Sequence, residues 1–85
     1  MAIQTAQAVI ERSFALNVTP VRVLASSEGG VFIAYVNRDH MANIEIFNTG
    51  HIFAATTHRN SVNVWSVSTE DIDSAIERIR DHFKT

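Results

Sequence analysis

Between Val21 and Val67 the apolar residues fall into short runs of strand period, and the polar gaps between the runs are brief. Side chains of an extended strand point alternately to two faces, so a period of two assigns strands. Gaps this short join sequence neighbours as antiparallel hairpins, which makes a meander. Both ends of the chain have the other period. Ile3, Ala6, Val9, Ile10 and Phe14 share one side at 100° per residue, with Gln4, Thr5, Glu11 and Arg12 opposite. That spacing predicts an amphipathic helix over residues 2–16, ended ahead of Pro20, whose ring disfavours helical geometry in the residue before it. Ile72, Ala75, Ile76, Ile79 and Phe83 form the second stripe. Ser68, Thr69, Glu70 and Asp71 precede it, hydroxyls and acids suited to a helix start, with Arg78, Arg80 and Lys84 towards its other end. The predicted order is α-β-β-β-β-β-α, an α+β fold whose N- and C-terminal helices pack on one face of an antiparallel meander sheet.

The turns set the register. Val21, Val23 and Ala25 alternate before a loop at Ser26-Ser27-Glu28-Gly29-Gly30. Val31 to Val36 is β-branched and aromatic and apolar on both sides, an interior strand. Asn37 to His40 turns the chain, Asn43 to Phe47 is the next strand, and Asn48-Thr49-Gly50 reads as a three-residue hairpin loop with glycine in the left-handed region. Ile52 to Thr57 and Val62 to Val67 follow, separated by His58 to Ser61. If Ile46 pairs with Ile52, two faces result. One holds Val21, Val23, Ala25, Val31, Ile33, Tyr35, Ile44, Ile46, Ile52, Ala54, Val62 and Val64, on which both helix stripes pack in a two-layer sandwich. The other holds Arg22, Leu24, Phe32, Ala34, Val36, Glu45, Phe47, Phe53, Ala55, Asn63, Trp65 and Val67. A solvated sheet face normally reads polar, so three Phe and the single Trp on this one imply a cover. Either something binds there, or the first helix crosses over and covers the aromatics itself.

With 85 residues the chain is predicted to form a single α+β domain over 1–85. Seven basic against nine acidic residues give a net charge of −2, against a nucleic-acid surface and against a polybasic membrane anchor. No cysteine is present, so disulfides, thiolate metal sites and a cysteine nucleophile are excluded. Residues 1–14 do not read as a signal peptide, and the longest apolar run, Val31 to Val36, is too short for a bilayer, so the expected compartment is the cytoplasm.

Chemistry-bearing residues are few. His40, His51, His58 and His82 show no metal-ligand spacing, and the serines sit in no nucleophile elbow. The expectation is therefore no catalytic residue, no metal and no cofactor. Alternate turns of a meander lie at one end of the sheet, which brings Asp39 and His40 towards His58 and Arg59. Such a polar site could orient a histidine as base and hold an anion, although solvated turn residues explain the same pattern. Asp71 and Asp73 point apart on a helix. Glu45 is the one acid within a strand, expected beside Arg22 or His51.

Ile44-Glu45-Ile46-Phe47-Asn48-Thr49-Gly50-His51-Ile52, followed by Val64-Trp65-Ser66-Val67 and a helix, resembles a pattern in small uncharacterised bacterial α+β proteins. The resemblance spans the second half of the chain. It implies a bacterial cytoplasmic origin and carries over no function. The expected function is a non-enzymatic protein-interaction module, homodimeric or bound to another protein in the manner of an inhibitor, antitoxin, immunity protein or chaperone. Its binding surface is expected at Leu24, Phe32, Glu45, Phe47, Phe53 and Trp65. The alternative is a small-molecule binder with an apolar pocket between sheet and helix, capped by Arg22, Glu45 or His51.

Overall fold

A computed structural model describes residues 2–26 and 28–84, so Ser27 of the first loop lies outside the described residues. Helix α1 runs Ala2–Ala15. Asn17 ends it, ahead of Pro20. Asn17 takes φ +63°, its N–H donates to the Phe14 carbonyl at 3.1 Å, and the Val18 N–H donates to the Ser13 carbonyl at 2.8 Å. This pair of bonds is the Schellman closure, in which asparagine tolerates the left-handed position and the next apolar residue turns inward. Val18 is accordingly buried.

Strands β1 (Arg22–Ala25), β2 (Val31–Asn37), β3 (His40–Ile46), β4 (Ile52–His58) and β5 (Ser61–Val67) form one sheet in chain order, every neighbour antiparallel. A 3-10 turn over Thr69–Asp71 leads into α2 (Ile72–Phe83). The loop at Asn48-Thr49-Gly50 closes as its residues predict. Ile46 faces Ile52, the Phe47 N–H donates to the His51 carbonyl at 2.8 Å, and Gly50 takes φ +98°.

Both helices lie on the same side of the sheet. Helix α1 touches β2 and β3, α2 touches β3 and β4, and the two touch each other, so α1 does not cross to the second face. The core between the layers is built from Val9, Ile33, Tyr35, Ile44, Ile46, Ile52, Ala54, Ile76 and Ile79. Among the described residues no helix is long and apolar enough to cross a membrane.

Two placements differ from the sequence expectation. In the last hairpin His58 pairs with Ser61, which leaves only Arg59 and Asn60 in the turn. Asn63, Trp65 and Val67 therefore face the helices, while Val62 and Val64 turn outward and are 60% and 65% exposed. A shift of one residue moves a whole strand's side chains to the opposite face. Trp65 thus leaves the aromatic face and lies under the Arg78 guanidinium, 3.9 Å from the ring centroid, a cation–π contact. Helix α1 is also rotated. It buries Ala2, Ala6, Val9 and Ser13, leaving Ile3 and Phe14 66% and 58% exposed. Small side chains let this stripe approach the sheet closely, with Ile10 half-buried against the core at its margin.

The buried stripe includes a polar pair. Ser13 donates its hydroxyl to the Val9 carbonyl at 2.7 Å, and its Oγ is 2.7 Å from the Tyr35 hydroxyl. The serine proton is already committed, so Tyr35 is the donor between them. Burial pushes the Tyr35 pKa up, against the smaller opposing effect of the Ser13 bond. Ser13→Ala leaves a buried O–H without an acceptor and is expected to cost about 2 kcal/mol. Tyr35→Phe removes the donor and is expected to cost about 1 kcal/mol. Urea denaturation of both variants checks the order, which reverses if serine is the donor.

The start of α2 is held by charge. Arg12 grips Asp73 with two 2.8 Å bonds, from Nε to Oδ1 and from an Nη to Oδ2. The guanidinium holds the Asp73 carboxyl below the usual carboxylate range. Ser68 does not cap the backbone by its side chain. It donates to Asp71 Oδ2 at 2.9 Å.

Candidate functional site

The β2–β3 and β4–β5 turns lie at one end of the sheet, as a meander requires. Each is two residues long, and each begins with an arginine in the left-handed region, Arg38 at φ +61° and Arg59 at φ +57°. That region disfavours a residue with a Cβ by roughly 1 kcal/mol or more. The turns set His40 directly opposite His58 across β3 and β4. Their rings stack with centroids 3.9 Å apart and planes 5° from parallel. His82, near the end of α2, meets His40 edge-on at 4.8 Å and donates from Nε2 to the Thr57 carbonyl at 3.2 Å.

Asp39 sits at the mouth of this cluster. His40 Nδ1 lies 3.2 Å from its Oδ1, His58 Nε2 lies 3.1 Å from its Oδ2, and Arg59 Nε is 3.8 Å away. The His58 hydrogen bond holds the Asp39 carboxyl below its ordinary pKa. The sequence places Asp39, His40, His58 and Arg59 near one another, and the structure brings all four into contact distance. Together with Asn37, Arg38, Phe83 and Lys84 they line an open cleft of about 500 Å³. This lining carries no hydroxyl or thiol nucleophile among the described residues.

His82 is the member that sequence spacing does not reveal. Its signal is geometric. Strand β5 ends at the far end of the sheet, and α2 must run back along it. Twelve residues at about 1.5 Å per residue span about 18 Å, close to the length of a seven-residue strand, so the end of α2 returns to these turns.

The second candidate surface is the sheet face opposite the helices. Register arranges it in rows. Leu24, Phe32, Glu45, Phe53 and Ser66 form one, and Arg22, Ala34, Asn43, Ala55 and Val64 the next. Val36, Met41, Thr57 and Val62 form the third. Phe47, just past β3, contacts Phe53 edge-on with centroids 5.8 Å apart. Of the residues expected to bind a partner, Leu24, Phe32, Glu45, Phe47 and Phe53 share this surface and Trp65 does not. Val36, Met41, Val62 and Val64 join it. Glu45 is the direct cross-strand partner of neither Arg22 nor His51. It is flanked by Phe32 and Phe53, with Arg22 in another row.

An apolar pocket between sheet and helix also exists. Ile3, Ala6, Gln7 and Ile10 of α1 and Val23, Ala25 and Val31 of the sheet enclose about 320 Å³. Arg22, Glu45 and His51, the expected caps, are not part of its lining. The chain matches no protein-family model, no curated protein and no solved structure.

Proposed function

We propose that the chain is a small interaction module whose open sheet face packs against a second copy of itself. The observation that carries this reading is the row Leu24–Phe32–Glu45–Phe53 on the side of the sheet that neither helix covers. An apolar face of this kind is costly in water, and a monomeric domain seldom exposes a large one. Charge supports a second copy as the cover. Within the strands this face carries one cation, Arg22, and one anion, Glu45, so an isologous pair is neutral overall. Size supports it too. Five strands about 4.8 Å apart and up to seven residues long project roughly 500 Å². Side-chain relief raises the accessible area towards the roughly 800 Å² per partner of a standard interface.

Molar mass by light scattering across a concentration series tests the reading. A dimer that persists into the low micromolar range is expected. A monomer at every concentration up to the millimolar range overturns it.

A second reading rests on the pocket between α1 and β1, whose lining is apolar except for Gln7. A ligand there would be a small apolar molecule held by shape, with one amide to orient it. A thermal-shift screen of short aliphatic and aromatic compounds is its test, and Ile10→Asp is expected to abolish any stabilisation found.

A further inference from the structure

We propose that Asp39, His40 and His58 form a binding site for a divalent transition-metal ion of the zinc class. Two imidazoles and a carboxylate are the donors that such ions take, while calcium and magnesium prefer oxygen alone. The residues come from a turn and two strands, and the fold brings them together in three dimensions, which is why no ligand motif shows in the sequence. His40 and His58 are direct cross-strand partners. Such partners have Cβ atoms about 5 Å apart, near enough for both rings to reach one ion. The donor atoms of all three residues lie within 4.8 Å of one another. Tetrahedral ligands at about 2.0–2.1 Å from an ion stand about 3.3 Å apart. The two contacts to Asp39, at 3.2 and 3.1 Å, already have that spacing.

The same geometry fixes what must move. A coordinating imidazole holds the ion in its own ring plane. Rings 5° from parallel cannot share one ion, so the stack opens on binding. His58 is the ring that turns. Its side chain is the more exposed of the two, and His82 sits against His40. With three protein donors, a fourth position faces the cleft, where Arg38, Arg59 and Lys84 stand at the rim. Their charge weakens the hold on a dication, although solvent screens such exposed side chains. The expected affinity is therefore micromolar, below that of structural zinc sites.

The test is calorimetric titration of the full chain with zinc chloride, beside histidine-ring NMR and the visible spectrum with cobalt(II). One ion per chain is expected. Zinc should shift the His40 and His58 ring signals and leave those of His51, at the other end of the sheet, in place. Asp39→Asn and His58→Ala should each weaken zinc by about tenfold or more, since even outer-shell partners cost that much. His51→Ala should change nothing. Asp39→Asn keeps the turn's shape and carries the test if His58→Ala fails to fold. Absence of saturable binding below millimolar zinc overturns the site. So does an affinity unaltered by Asp39→Asn, or one that His51→Ala lowers equally. The oligomer reading has a separate readout, and either result can fail without the other.

Discussion

Ile76→Ala is expected to lower the unfolding free energy by about 3 kcal/mol and the melting temperature by roughly 12–24 °C for a domain of this size. Ile76 has no exposed surface and lies where α2 meets the sheet, in the cluster that includes Ile33, Ile44 and Ile79. Removing three carbons there loses their transfer free energy and leaves a cavity that two packed layers cannot close. A chain of 85 residues has a total stability on the order of 4–13 kcal/mol, so this one change removes a large part of it. Val64→Ala is the matched control. Val64 is 65% exposed on the other face, and its truncation is expected to shift monomer stability by less than about 0.5 kcal/mol. Chemical denaturation at low protein concentration separates the two. Equal losses would mean that the open face is packed in the monomer.

Most of this architecture was legible because period and turn length are local properties. The strands β2 to β4 show their faces through Ile33, Ile44, Ile52 and Ala54, and the Asn48-Thr49-Gly50 loop has one low-energy closure that sets their register. The faces of β5 failed through an error of parity: a turn over His58 to Ser61 pairs Thr57 with Val62, the register found, and that sets Val62 with Phe53 and Ala55 rather than with Ile52 and Ala54. The difference is one position, enough to exchange Trp65 for Val64. Helix α1 misled for another reason. Hydrophobicity alone sets Ile3 and Phe14 beside Ala6, Val9 and Ile10, whereas close approach to a sheet favours the small residues Ala2 and Ser13 beside Ala6 and Val9. The meeting of His40 and His58 follows from meander topology. The arrival of His82 needs the length of α2 as well, which is a tertiary quantity.

If the open face packs on a second copy as proposed, Phe53→Lys is expected to turn the dimer into a monomer with the monomer fold retained. Phe53 lies in the apolar row beside Glu45 and touches Phe47, so a charge at this position meets the partner's apolar surface. Desolvating an ammonium group there costs several kcal/mol, which its pair with Glu45 offsets only in part, and the Phe53 aromatic contact is lost as well. Lysine is a sharper probe than aspartate. Residue 53 pairs directly with Glu45, and an acid there would repel it and weaken the monomer as well. A lysine faces Glu45 with opposite charge, a cross-strand pair that contributes roughly 0.2–1 kcal/mol to the sheet. The variant therefore separates assembly from folding. Sedimentation equilibrium reads the first and far-ultraviolet circular dichroism the second. If the natural chain is dimeric and Phe53→Lys leaves its dissociation constant unchanged, the open face is not the interface. The unpaired edges of β1 and β5 become the next surfaces to test, because an exposed strand edge offers its backbone hydrogen bonds to another chain. Strand β5 is the stronger template of the two. It is seven residues long against four, and it carries neither proline nor lysine to discourage pairing.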